Sequence, residues 1–137
     1  MNRKPDIIIT AQDAERLEIL LDSMPNTAFP GKSELEGELE RAIRVDPRKV
    51  PPSVVTMNST VKFQLLNSNE EYCLKLVYPG ETDINGGTIS IFAPVGSALL
   101  GLSEGDEIEW PRPGGGMLRL AIKEVIDQPE RSGNYDS

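Results

Sequence analysis

The chain contains no histidine. That removes the commonest general base, the usual zinc ligand and the ordinary Ser-His and Cys-His nucleophile pairs. Ser53, Ser59, Ser97 and Ser103 therefore have no histidine to activate them, and no catalytic residue, metal site or cofactor is expected. Cysteine is almost as scarce: Cys73 is the only one in 137 residues, so no internal disulfide can form, in keeping with a reducing compartment. It sits between Tyr72 and Leu74 in a strand-like stretch and reads as a buried, inert thiol. Aromatics make up only 5% of the chain, too few to line an aromatic pocket. No apolar run is long enough to span a bilayer, and Ile7-Ile8-Ile9 is too short for a signal-peptide core, so a cytoplasmic protein with no membrane partner is expected. Positive charge is also in short supply. With 14 Lys+Arg against 22 Asp+Glu, the net charge is -8, which opposes direct binding to nucleic-acid phosphates and favours a basic protein partner.

What is present divides in two. After the extended Ile7-Ile8-Ile9, Thr10 is a good N-cap, with Asp13 where a capping-box acid would sit. Ala14, Leu17, Leu21 and Met24 then form one apolar stripe, which predicts a helix over 11–23 ended by Pro25. Residues 25–31 carry two prolines and a glycine and read as a loop. A second helix is expected over 33–45, with Ser33 as its cap, Leu35, Leu39, Ala42 and Ile43 as its stripe, and Glu40–Arg44 as an ion pair one turn apart. Gly37 in its interior suggests a close packing contact. Together the helices predict an antiparallel hairpin.

Three prolines within residues 46–52 make a stiff, non-helical boundary. Beyond it the apolar period changes from 3.6 to 2. Val61, Phe63 and Leu65, then Tyr72, Leu74 and Leu76, predict a β-hairpin turning at 67–70. Further strands are expected over 88–92, 107–110 and 118–126, with one or two helical turns between Pro94 and Gly101. The organisation expected is α+β: a helical hairpin over 1–49, an antiparallel sheet domain with one short helix over 50–128, and a frayed polar tail over 129–137.

Few constellations invite chemistry. Gly114-Gly115-Gly116 lies between two strands without a phosphate-loop lysine or a following helix, so it reads as a turn. Glu34, Glu36, Glu38 and Glu40 form a solvated acidic helix face, with the first two favoured by the helix dipole. Phe29 stands at the hairpin tip beside Pro25 and Pro30. Its ring either folds back to cap the hairpin or waits for a partner.

One stretch is more specific. From Ile89 to Gly115 the chain runs ISIFAPVGSALLGLSEGDEIEWPRPGG: strand, Ala-Pro-Val-Gly-x-Ala-Leu-Leu-Gly, Gly-Asp turn, strand, Pro-x-Gly turn. It resembles the C-terminal domain of the Gre transcription factors, and residues 57–63 resemble that domain's opening strand. The resemblance covers about 50–127. Within the family, the short first half and the run Val54-Val55-Thr56-Met57-Asn58-Ser59 look closest to the group of regulators of nucleoside diphosphate kinase. What it implies is an FKBP-like C-terminal domain, a short N-terminal coiled coil, and docking at the RNA polymerase secondary-channel rim in competition with other channel factors. Matched by motif, the polymerase contact falls on Ala93, Pro94 and Val95, with Phe92 and Ser97 nearby. One departure matters. Gre factors carry a pair of acids at the tip of a long coiled coil, which helps to hold a catalytic magnesium. Here a helix of about thirteen residues reaches only about 20 Å, and residues 23–31 contain no Asp or Glu. Docking is carried over; the cleavage chemistry is not, and no enzyme is expected. The alternatives are an FKBP-like small-molecule or peptide-binding module, or a modulator of a nucleoside diphosphate kinase acting through another protein partner.

Overall fold

The computed structural model describes residues 6–25, 27–29, 31–82, 86–112 and 114–133. The chain opens with a short strand, β1 (Ile8–Thr10), and helix α1 (Ala11–Asp22). Thr10 caps the helix as its sequence promised: extended at φ -64°, ψ 145°, it accepts the Asp13 N–H at 3.1 Å. Ala14, Leu17 and Leu21 are buried along one face.

Helix α2 (Lys32–Arg41) is shorter than its pattern predicted. Gly31, at φ 91°, is its N-cap in place of Ser33, and no side chain caps it. Ala42 turns the backbone extended, and Ile43–Val45 form strand β2, which pairs in parallel with β1. Ile43 is consequently exposed rather than part of a helical stripe. Arg44 leaves Glu40 and forms a two-bond pair with Glu18 of α1, at 2.6 and 3.0 Å. Gly37 faces open space, so the expected close contact is absent. The acidic face is solvated except at Glu38, which is buried against the Arg41 guanidinium.

The proline-rich boundary is not wholly non-helical: Pro47–Lys49 form one 3-10 turn, capped by the Asp46 carboxylate on the Arg48 N–H. The sheet follows, with strands β3 (Thr60–Leu65), β4 (Glu70–Val77), β5 (Thr88–Ser90), β6 (Glu107–Pro111) and β7 (Met117–Asp127), in spatial order β5-β4-β3-β7-β6. Every neighbouring pair is antiparallel except β4–β5. There β5 runs in the same direction as its neighbour, pairing Lys75 with Thr88, Leu76 with Ile89 and Val77 with Ser90. Two register shifts between β3 and β7 curl the sheet. Helix α3 (Pro94–Leu99) packs against its inner face.

One hydrophobic core joins the helices to the sheet, running from Ile7, Ile9 and Leu17 through Val61 and Phe63 to Leu99 and Trp110. Cys73 is not in it. The alternation that turns Leu74 and Leu76 inward turns Cys73 out, and its thiol is exposed. The segment from Pro129, expected to fray, is ordered into a turn as far as residue 133. Pro129–Ser132 make a 3-10 turn, and the buried Gln128 amide donates to the carbonyls of Pro51 (2.9 Å) and Val54 (2.8 Å).

Candidate functional site

The residues singled out at 92–97 form the turn between β5 and α3. Its shape follows from three local constraints. Ser90 holds the turn from below, its hydroxyl accepting the Phe92 N–H at 3.1 Å and its carbonyl the Ala93 N–H at 3.0 Å. Pro94 opens α3 at a position where its missing N–H costs nothing. Gly96 lies so close to the strand that a Cβ there would collide with the Ser90 carbonyl. The turn therefore presents Phe92, Ala93, Pro94 and Val95 half-buried, with their outer surfaces in solvent. Ser97 does not belong with them. It is buried, and its hydroxyl donates to the Ile91 carbonyl at 2.6 Å, so it braces the turn from inside.

The hairpin tip meets this turn. The Phe29 ring stacks on the Phe92 ring, with centroids 4.2 Å apart and planes inclined by 16°. Both rings also pack against the common core. Two residues that the sequence placed in different halves thus touch. Pro25 is exposed beside the tip, its carbonyl accepting the Ala28 N–H; Pro30 lies outside the described residues.

A second junction lies at the other end of α1, and sequence reasoning missed it. Asp13 does more than its place at the cap suggested. Its carboxylate also reaches the sheet, accepting the Met57 N–H at 3.2 Å and the Tyr78 hydroxyl at 3.3 Å. Burial pushes its pKa up to about 6; the Met57 N–H opposes this, and the negative Glu130 reinforces it. Glu130 is itself buried and accepts the Thr56 hydroxyl at 2.7 Å. The Tyr78 hydroxyl is also pushed up, first by burial and then by the charge of Asp13. A signal was available: Asp13 precedes Leu17 by four residues, on the buried stripe.

Beside this junction runs an open groove of about 940 Å³. Arg16, Ile19 and Leu20 of α1 form one wall, and Lys75, Pro79 and Pro129 lie across from them. Ile19 is 64% exposed, the most exposed of the large apolar side chains on the described surface. The cations Arg16 and Lys75 share the groove with Glu81 and Asp127, so its charge is mixed.

A helical hairpin docked on a curled, mostly antiparallel sheet, with a strand–Pro–helix turn at its edge, is the architecture of a Gre-type transcription factor. The model of the GreA/GreB transcription elongation factor C-terminal region matches residues 50–127, and that of the Rnk N-terminus matches residues 5–45. The chain belongs to the GreA/GreB family, and to its Rnk branch. It is 44% identical over 132 residues to the regulator of nucleoside diphosphate kinase of Escherichia coli K12, covering 96% of this chain and 97% of that one. It is 37% identical over 93 residues to the transcription elongation factor GreA of Hyphomonas neptunium, covering 68% of this chain but 59% of that protein. Among solved structures, a GreA/GreB transcription elongation factor from Nitrosomonas europaea superposes with a TM-score of 0.70 at 62% identity, over 89% of this chain and 98% of that one. Its relatives are thus named as regulators and transcription factors. No described helix is long and apolar enough to cross a membrane.

Proposed function

We propose that this chain is a non-enzymatic cytoplasmic regulator that binds RNA polymerase at the secondary-channel rim and acts by competing with other channel factors. The observation that carries the reading is the braced turn, which holds Phe92, Ala93, Pro94 and Val95 half-exposed on a rigid support. A fixed apolar projection loses little conformational entropy on binding, which is what a docking contact needs. Residues 50–128 act as the docking module in this reading. The kinship with GreA supports the kind of partner. The loop 23–31 has no acid to hold a magnesium ion. A helix of 12 residues spans only about 18 Å. Regulation therefore comes from occupancy and not from transcript cleavage.

The test is binding to purified bacterial RNA polymerase core, with a Gre factor as competitor. Saturable binding displaced by the competitor is expected. Absence of binding well above micromolar concentration would sink the reading. Pro94→Ala combined with Val95→Asp should weaken binding while the circular dichroism spectrum stays intact.

The groove favours a second reading, a module that binds a small molecule or peptide between α1 and the sheet. Ile19→Asp would abolish that binding and leave polymerase affinity untouched. Modulation of a nucleoside diphosphate kinase through another protein, suggested by the name of the Escherichia coli relative, predicts co-purification with that enzyme instead of with polymerase.

A further inference from the structure

We infer that the docking surface is composite, with Phe29 of the hairpin tip completing the apolar patch that Phe92, Pro94 and Val95 begin. This rests on the polymerase-docking reading above. Three observations lead to it. First, the Phe29 ring lies flat on Phe92, so the two halves of the chain form one continuous apolar surface. Second, seating Phe29 does not hide the turn: Phe29, Phe92, Ala93, Pro94 and Val95 all remain half-buried with the tip in place. A lid would have buried the turn, whereas here the tip widens it. Third, the tip is set to hold the ring there. Ala28 donates its N–H to the Pro25 carbonyl at 3.0 Å and Lys32 to the Phe29 carbonyl at 3.4 Å, while Thr27 and Ala28 on the same loop are exposed.

Charge at the margin defines the partner. Lys32, the cation nearest Phe29 in the chain, is only 3% exposed, and Glu36 neutralises it at 3.1 Å. Glu34 stands beside Gly31 in the same turn and is still partly exposed. The chain as a whole carries -8. The surface that fits is apolar at its centre and bears lysine or arginine at its edge. The hairpin is then a part of the docking face and not a probe sent into a channel.

The experiment compares polymerase-core binding of the full-length wild type with Phe29→Ala, Phe29→Leu, Glu34→Gln and Val95→Asp. A thermal melt of each variant checks folding. A buried aromatic anchor at an interface centre accounts for roughly tenfold or more in affinity. Phe29→Ala should therefore weaken binding by about that factor, Phe29→Leu by less, and Glu34→Gln should flatten the salt dependence. Unchanged binding by a folded Phe29→Ala, with Val95→Asp weakened, would overturn the composite surface and leave the docking turn standing. Tighter binding by Phe29→Ala would also overturn it, since the tip would then be a lid. Failure of the wild type to bind would remove both readings together.

Discussion

Asp13 makes the fold sensitive to pH in a direction opposite to most carboxylates. An ordinary aspartate titrates near 3.9 in an unfolded chain, and this one is raised to about 6 in the folded protein, chiefly by burial. The folded state therefore prefers the protonated form. Stability from this group is complete below the unfolded value and is lost as pH rises from about 3.9 to about 6, beyond which the loss is constant at roughly 3 kcal/mol. Between pH 7.5 and pH 5 the chain should gain about half of that, on the order of 1–2 kcal/mol. Glu18, whose pKa the hydrogen-bonded Arg44 lowers, contributes stability that is complete above the usual carboxylate range and is lost only as pH falls through and below it, outside this window. Urea unfolding at the two pH values measures the gain directly. Asp13→Asn is the control: the amide oxygen can still accept the Met57 N–H and the amide nitrogen can donate to the Tyr78 oxygen, but nothing titrates. That variant should be flat between pH 5 and 7.5, and no less stable than the wild type at pH 7.5. Asp13→Ala leaves the Met57 and Tyr78 donors unpaired and should cost about 1–3 kcal/mol. A wild type that weakens on acidification to pH 5, or an Asn variant with the same pH slope as the wild type, would refute the reasoning.

Other substitutions probe other joints. Gly96→Ala drives a methyl group into the Ser90 carbonyl and must lever α3 off β5; the melting temperature should fall sharply, by a free energy of about 3 kcal/mol. Thr10→Ala removes the hydroxyl that holds the Asp13 N–H and should cost about 1 kcal/mol in urea unfolding. Cys73, exposed on the outer face of β4, should react stoichiometrically with a thiol reagent in the native protein, without a denaturant.

Local chemistry was legible in the sequence at several places where a side chain acts on its own segment, though not at Ser33, which leaves the cap of α2 to Gly31. Thr10 capped, the period of 2 from Val61 to Leu76 gave β3 and β4, and Pro94 opened α3. What was not legible depended on partners far away in the chain. The pattern at Leu39, Ala42 and Ile43 fits a helix, but β1 offers the backbone of Ile43–Val45 a strand partner, and tertiary pairing overrode propensity. Cys73 read as buried because its neighbours are apolar, although the strict alternation of a strand that is covered on one face sends it outward. Ser97 shared the site's motif yet serves it from beneath, since only the fold brings Ile91 O within reach of its hydroxyl. The same holds for Phe29: the choice between a cap and a contact could not be made until Phe92 was placed against it.

Beyond the shared core, two contacts tie the hairpin to the sheet domain at opposite ends. At the start of α1, Asp13 ties the helix to Met57 and Tyr78 by hydrogen bonds. At the tip, Phe29 meets Phe92 by ring stacking and packs with it against the common core. These differ in kind. Hydrogen bonds to a buried carboxylate are lost steeply with misalignment, so the first junction fixes the angle of α1 on the sheet. Stacked rings tolerate sliding at small cost, so the second can adjust while its partner residues stay covered. Asp13→Ala, which removes both hydrogen bonds, should therefore disturb the Phe29–Phe92 contact at the other end of the hairpin, whereas Asp13→Asn should not.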